Sequence, residues 1–421
     1  LRRDWHLPFT DADVARLGEL RERCTEAGLR LLVCVSPGLT IRYSDHGDVA
    51  ALGDKLAAAL ELGADGVGLL LDDIPDRLQH PADVAAFDSL AAAHAALVTA
   101  VAGRLREEHP EASVFVCPTV YCGYGDEPYL TELAAGIPGW VDLCWTGRAI
   151  CSATLDLHDA EVFAAATGRP PLFWDNYPVN DVAMTFEAHL GPYRGRDPRL
   201  TGASRGVIAN PMELFESSKV PLATVADFLF DPDFYDPEES RARAIADVVA
   251  GGAERTAEVE ADIEAFAAYA DNVRLSCLEP SDAPVVTRLL EDLAFAHAVG
   301  TPEQRADAAS AVAAEGHRLC DAVRRITDPG FANPALAAEQ APWLRVTALG
   351  AEALVAMGTV LGAPPEAALG GAAAAAALAP HLATLREQRY RVFGDVLDMT
   401  LDDLVNPPER SGAHPLQEGT P

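Results

Sequence analysis

Lysine is almost absent from this chain of 421 residues, occurring only at Lys55 and Lys219, so nearly all the positive charge is arginine. That bias fits a GC-rich bacterial coding sequence more than a functional choice. Positive charge is scarce in general: the formal net charge is -32. A surface of that sign repels nucleic acid and anionic lipid, and suits a neutral small molecule or a basic partner. No stretch of eighteen or more apolar residues is free of charge, which argues against a membrane span. The Ala-rich run at 370–379 is short and weakly hydrophobic, and is expected to be a helix. No CxxC pair occurs among the eight cysteines, and no Cys/His cluster has zinc spacing. Cys34, Cys117 and Cys144 lie in apolar runs, where cysteine behaves as a small hydrophobe. Free thiols favour a reducing, cytoplasmic compartment. No signal peptide is visible at Leu1. No GxGxxG or GxxxxGK[ST] follows any strand, so no nucleotide loop is evident. No nucleophile elbow supports a Ser-His-Asp site.

What the chain does have is a βα rhythm. Apolar runs at 29–35, 66–71, 113–116, 141–145, 171–174 and 206–209 alternate with helix-like segments, among them 11–27, 48–62, 81–108 and 159–166. The runs are nearly continuous in apolar residues, as strands buried on both faces must be. Asp11, Asp48 and Asp159 mark expected helix starts, and Gly28 and Gly63 expected stops. Repeated βαβ units require a parallel sheet. Polar groups follow strand after strand: Ser36-Pro37-Gly38, Asp72-Asp73, Tyr121, Thr146-Gly147, Asp175-Asn176 and Asn210. Polar residues at the C-terminal ends of successive strands are the mark of a (β/α)8 TIM-type barrel, whereas an open sheet concentrates its site at one switch point. Six units are visible and eight are needed, so two strands are expected upstream of Leu1. After about Asp231 the strand pattern gives way to helical segments at 237–271, 281–298, 302–327, 333–361 and 365–405. The expected organisation is a barrel over 1–235, a helical bundle over 236–405 and a disordered tail over 406–421.

Asp72-Asp73 is the strongest local signal. Burying two carboxylates is costly unless they have partners or a task, and close placement raises the pKa of one of them. A carboxyl with a raised pKa serves as a general acid near neutrality. The alternative is that one acid caps the next helix while the other faces solvent. Most retaining glycosidases carry acid and nucleophile on different strands. Neighbouring acids fit substrate-assisted hydrolysis instead, in which the sugar's own 2-acetamido oxygen attacks the anomeric carbon. Trp174-Asp175-Asn176-Tyr177-Pro178-Val179-Asn180-Asp181 offers an aromatic face for a sugar and directional polar groups for hydroxyls. It fits equally well a strand end with a core aromatic followed by an Asn-Asp turn. Asn210 before Pro211 suits a barrel-mouth ligand and also a helix cap. Tyr121 suits a phenol aimed at substrate and also a loop aromatic.

Six segments occur in order: CVSPG at 34–38, LLLDDI at 69–74, PTVY at 118–121, CWTG at 144–147, WDNYPVND at 174–181 and NPMELFESSK at 210–219. Together they resemble glycoside hydrolase family 84, the O-GlcNAcase-like β-N-acetylglucosaminidases, over roughly residues 1–230. The resemblance implies a retaining, substrate-assisted hydrolase of terminal N-acetylglucosamine. It implies that Asp72 orients the acetamido group and that Asp73 is general acid and then base. Tyr121 would bond near the acetamido oxygen, Trp174 wall its pocket and Asn176 contact the acetamido or leaving-group region. Asp181 and Asn210 would bind sugar hydroxyls, and Thr146 line the pocket. It implies no metal or organic cofactor. The family also uses a glycine on its first strand and a lysine after its second, both expected upstream of Leu1. The expected partner is a glycan or glycoprotein bearing N-acetylglucosamine, with no nucleic acid, no membrane and a homodimer through the helical region. Two other readings compete. One is an endo-acting hyaluronidase-like hydrolase, against which the acidic net charge argues. The other is a non-hydrolytic glycan-binding or scaffold protein, against which the paired acids argue.

Overall fold

A computed structural model describes residues 4–279, 283–364 and 367–407. The chain forms two compact units. One comprises the residues up to Tyr177 together with Arg194–Asn210; the other comprises Pro178–Tyr193 and the residues from Pro211 on.

The first unit holds six strands: β1 (Leu32–Val35), β2 (Gly66–Leu70), β3 (Ser113–Cys117), β4 (Asp142–Trp145), β5 (Leu172–Asp175) and β6 (Gly206–Ala209). All neighbours are parallel and the order follows the chain, β1 to β6. Helix α1 (Asp11–Glu26) precedes β1, and helices fill the crossovers: α2 (His46–Glu61), α3 (Pro81–Ala86), α4 (Leu90–Glu108), α5 (Pro128–Gly136), α6 (Leu157–Thr167) and α7 (Leu200–Ala203). Sequential parallel strands with crossover helices are the (β/α) barrel arrangement foreseen from the apolar runs.

Helix α1 starts at Asp11 as expected, whereas α2 and α6 start two residues ahead of Asp48 and Asp159, for a local reason. Thr10 caps α1 in a capping box with Asp13, Asp45 caps α2, and Asp156 caps α6. The acids singled out in the sequence lie at or within the first turn, where they favour the helix dipole rather than cap it. Gly28 and Gly63 do end α1 and α2, each at positive φ. The expected single helix over 81–108 is broken because Phe87 is extended and Ser89 starts a new cap.

Side chains alternate across each strand, so the sheet has two faces. Val33, Val35, Val67, Leu69, Val114, Val116, Leu143, Trp145 and Phe173 point outward, into one core with Leu52, Leu56, Leu97, Val98, Leu130, Leu133 and Phe163 from the helices. The opposite face is a smaller cluster of Phe115, Cys117 and Cys144, joined by Cys34, Leu70, Tyr121, Leu172, Trp174 and Ile208. Phe115 takes the space that a side chain at residue 68 would need. A Cβ on Gly68 would lie 2.4 Å from its ring and 2.8 Å from Cys34 Sγ. Cys24, Cys34, Cys117, Cys122, Cys144 and Cys320 are free thiols.

The second unit is helical: α8 (Phe215–Phe230), α9 (Pro237–Ala250), α10 (Ala257–Ala270), α11 (Pro284–Val299), α12 (Pro302–Ile326), α13 (Pro334–Leu361), α14 (Gly371–Arg386) and α15 (Val396–Val405), with a 3₁₀ turn at Val182–Met184. The expected helix over 237–271 is two, because Gly251 and Gly252 both adopt positive φ. The expected helix over 365–405 is likewise two, split near Phe393 and Gly394, again at positive φ. Helices α12 and α13 approach closely at glycines: a Cβ on Gly358 would meet Ala309 O at 2.4 Å, and one on Gly316 would meet Ala351 O at 2.7 Å. Glu339 on α13 accepts from the amides of Glu216 and Ser217, supplying a cap that α8 lacks in its own sequence. By length and composition α13 is apolar enough to cross a membrane. Its Trp343, Leu344, Val346, Leu354 and Met357 are buried in the bundle core. Of the expected tail over 406–421, residues 408–421 lie outside the described residues.

The tight fit around residue 68 gives a stability test. Gly68→Ala is expected to cost about 1–3 kcal/mol through overpacking. It should lower the urea midpoint at unchanged slope. An unchanged midpoint would mean that Phe115 yields freely.

Candidate active site

The inner face of the sheet is apolar along its length and polar at one end. Two residues beyond each inward apolar side chain comes a polar one: Ser36 after Cys34, Asp72 after Leu70, Thr119 after Cys117, Thr146 after Cys144, Asn176 after Trp174, and Asn210 after Ile208. A period of two therefore delivers these residues to the C-terminal mouth on the inner side. Ser36 and Thr119 were not singled out individually as site residues from the sequence. The two-residue spacing from Cys34 and Cys117 is the signal that finds them.

Asp73 breaks that period. Strict alternation would send it to the outer face with Leu69 and Leu71. Its φ is 54°, one of three non-glycine residues with positive φ among the described residues. Left-handed backbone is rare outside glycine, and aspartate is among the side chains that tolerate it. The turn lets adjacent carboxylates serve one side of the sheet, and the electrostatics agree. Burial, with the charges of Asp73 and Asp72, pushes the Tyr121 phenol up to about 12. A hydrogen bond from the Cys117 thiol to Cys144, burial and the same two carboxylates raise the Cys117 thiol, and burial, with lesser help from Cys117 and Asp72, pushes Cys34 up to about 11. Asp72 and Asp73 thus lie within electrostatic reach of Tyr121 and of the thiol floor. The expectation of two buried acids needs correction: Asp72 is half-buried and Asp73 is exposed. The left-handed turn lifts the second acid out of the sheet.

Tyr121 is half-buried and held by its backbone: its carbonyl accepts from the Thr146 amide at 2.8 Å. Thr146 itself is buried, and its hydroxyl lies 2.7 Å from Ala149 O and 3.3 Å from Tyr121 O. That hydroxyl is engaged with the chain, and shapes the site through Tyr121.

Trp174 is half-buried on the inner face. Beside it, Asn176 Nδ2 donates to Ile150 O at 2.8 Å, and Asn210 Nδ2 donates to Asn176 Oδ1 at 3.0 Å. These bonds fix the orientation of both amides, each of which has a second N–H. Asp175, between Trp174 and Asn176, points the other way and is buried. Arg196 grips it with two parallel bonds, Nε to Oδ2 at 2.9 Å and Nη2 to Oδ1 at 2.6 Å. The same guanidinium donates to Ser152 O and Ala153 O. One buried arginine therefore ties the β5 end to the 147–154 loop that carries Ile150. Asp181 lies in the other unit, exposed, at the start of the Val182–Met184 turn, where Val182 has φ 49°. A β-branched residue at positive φ is a strained position. Among the described residues no group of three or more His, Cys, Asp or Glu side chains is placed to hold a metal ion.

A family model described as beta-N-acetylglucosaminidase matches residues 1–268. The chain belongs to that family, glycoside hydrolase family 84. The Protein O-GlcNAcases of Rattus norvegicus and Mus musculus are each 30% identical over 228 residues, 53% of this chain. The chain spans 24% of the length of these curated relatives. An aspartate-to-asparagine mutant of the O-GlcNAc hydrolase of Thermobaculum terrenum is similar in structure, with TM-score 0.83 and 28% identity, covering 96% of this chain and 85% of the other. CpGH84B shares the fold, with TM-score 0.79 and 20% identity, covering 96% of this chain and 69% of the other.

The Arg196 clamp is testable. Removing one member of a buried pair leaves the other charge uncompensated, so Asp175→Ala should destabilise the chain by about 3–5 kcal/mol. Guanidinium denaturation checks it. A loss well under 1 kcal/mol would show that the carbonyls alone satisfy Arg196.

Proposed function

We propose that this chain is a retaining β-N-acetylglucosaminidase acting on glycoconjugates by substrate assistance, with Asp72 and Asp73 as its working pair. The observation that carries the reading is the left-handed backbone at Asp73. It brings consecutive carboxyls to one side of a strand end, beside a phenol. Membership of the family adds to it, and so do the O-GlcNAcase names of the relatives.

The chemistry follows from positions. The acetamido oxygen of the bound sugar attacks the anomeric carbon as the bond to the leaving oxygen breaks. Asp72, the more enclosed acid, accepts from the acetamido N–H and keeps the carbonyl oxygen aimed. Asp73, turned out toward the mouth, gives its proton to the departing oxygen. An oxazoline forms as the acetamido N–H proton passes to Asp72, and Asp73, now a carboxylate, takes a proton from the water that reopens the ring while Asp72 returns its proton to the nitrogen. Two displacements at one carbon retain configuration. Tyr121 keeps its hydrogen across the working pH range, since its pKa is pushed up to about 12. It is therefore a donor toward the acetamido oxygen as charge develops there. Trp174 walls the acetamide, Asn176 and Asn210 present N–H groups to sugar oxygens, and Asp181 binds hydroxyls remote from the reacting carbon. Thr146 completes the lining through the Tyr121 backbone. The substrate is a glycoprotein or other glycan carrying terminal N-acetylglucosamine, and the chain pairs as a homodimer through its helical unit.

The deciding assay compares an aryl β-N-acetylglucosaminide with the matching β-glucoside. Turnover of the first alone supports substrate assistance; equal turnover of both ends that reading. Asp73→Ala should slow aryl glycosides with poor leaving groups by about 100- to 10,000-fold and good ones far less, as loss of a general acid requires. Equal losses would remove Asp73 from the acid role. Tyr121→Phe should lower kcat/KM by about 10- to 100-fold, the worth of one hydrogen bond to a charged group. A basic limb below pH 10 assigned to Tyr121 would contradict its place as a permanent donor.

A further inference from the structure

The end of β2 is held by a bond that the regular ladder would not supply. Pairing sets Leu70 beside Cys117. Continuing that register sets Leu71 beside Pro118. In a parallel ladder Leu71 would donate to Cys117 O and accept from the Thr119 amide. The first bond is made, at 2.8 Å. In place of the second, Leu71 O accepts from the Thr119 hydroxyl, at 2.6 Å. The Thr119 amide turns to the Tyr129 hydroxyl, at 3.2 Å. That hydroxyl lies 2.8 Å from His94 Nδ1, and His94 Nε2 lies 2.9 Å from the Tyr43 hydroxyl.

The direction of these bonds can be worked out. The Tyr129 oxygen accepts from the Thr119 amide, and among the described residues His94 Nδ1 is the acceptor within reach of its buried hydrogen, which therefore goes there. The ring hydrogen of His94 is then on Nε2 and is donated to Tyr43. His94 is fully buried, and burial alone pushes its pKa down to about 3, so it stays neutral. Burial pushes Tyr129 up to about 12, so its hydrogen stays in place as well. The chain Tyr43–His94–Tyr129–Thr119 is a fixed relay of neutral groups, rooted in α4 and α5 and ending on the carbonyl of Leu71.

We propose that Thr119, backed by Tyr129, His94 and Tyr43, is the positioning residue for the Asp72-Asp73 pair and for Tyr121. The Leu71 carbonyl belongs to the peptide whose other end is the Asp72 amide. Holding that carbonyl fixes the peptide plane from which Asp72 points inward and Asp73 turns left-handed. A hydroxyl can reach the carbonyl while its own backbone leaves the ladder. That departure at Pro118-Thr119 is what carries Tyr121 to its bond with the Thr146 amide. One side chain thus sets the acids on one strand end and the phenol on the next. This inference deepens the reading of Asp72 and Asp73 given above and rests on it.

Thr119→Val removes the hydroxyl and keeps the shape; Thr119→Ser keeps the hydroxyl. With aryl β-N-acetylglucosaminides, Thr119→Val should lower kcat by about 100-fold, the scale of an ångström-sized misplacement. KM should change little, because ground-state binding remains. Thr119→Ser should recover most of the rate. Tyr129→Phe, which leaves the hydroxyl bond and the packing in place, should give a smaller loss in the same direction, and serves if the valine variant does not fold. Hydrogen exchange at the Asp72 and Asp73 amides supplies a readout independent of turnover: faster in Thr119→Val, near wild type in Thr119→Ser. If the wild-type chain cleaves no acetamido glycoside, the functional reading fails, and exchange still decides whether Thr119 sets this turn. Wild-type kcat in Thr119→Val, a loss that serine does not recover, or unchanged exchange would each overturn the proposal.

Discussion

The alternation of side chains across a buried parallel strand is the constraint on which the rest of this barrel unit depends. A strand covered on both faces must spend its odd and even positions on two different cores. Here the outer positions meet the helices, and the inner ones form a narrow floor of Phe115, Cys117 and Cys144. Gly68 has no side chain there, and Phe115 lies over its place. Where the strands run out, the inner positions change from apolar to polar in step. The site is the continuation of the core's own period past the point where water becomes available.

Function enters where that period is broken. Two consecutive acids on a regular strand would face opposite sides and could not share a substrate. The positive φ at Asp73 removes that obstacle at the cost of a strained backbone, and such strain persists only where surrounding bonds hold it. Those bonds are on either side of Leu71, one from the ladder and one from the Thr119 hydroxyl. At β5 the order is reversed. There the period is kept, Trp174 and Asn176 straddle Asp175, and the acid between them is turned into the protein and neutralised by Arg196. The β2 and β5 ends thus treat their carboxylates differently: Asp72 is half-buried and Asp73 exposed, whereas Asp175 is buried.

Much of this was legible in the sequence, because continuous apolar runs and their polar successors depend on local pattern alone. All six strands fall within a few residues of the runs that announced them, and β6 coincides with its run. Helix starts were less legible: Thr10, Asp45 and Asp156 each cap from just upstream of the acids that drew attention. A capping hydroxyl or carboxylate is recognised by the bond it makes, and composition does not record bonds. The exposure of Asp73 was hidden for a similar reason, since a dihedral at one residue decides it. The relay behind Thr119 was hidden by distance, since Tyr43, His94 and Tyr129 are spread along the chain and meet only when α4 and α5 pack beside the sheet.

The charge pattern of the site follows from the same economy. The chain is strongly acidic overall, and the mouth carries further acids, yet four groups beneath and beside them are held neutral. The Cys34 and Cys117 thiols and the Tyr121 phenol are pushed up by burial and by the carboxylates, and His94 is pushed down by burial. These shifts keep the Cys34 and Cys117 thiols, the Tyr121 phenol and the His94 ring uncharged across the neutral range. A pair of acids set on neutral ground can divide two tasks by position alone: the half-enclosed one holds a polar group of the substrate, and the exposed one exchanges a proton with what leaves and what enters. Both positions follow from the peptide ahead of Asp72, whose carbonyl, Leu71 O, accepts from the Thr119 hydroxyl.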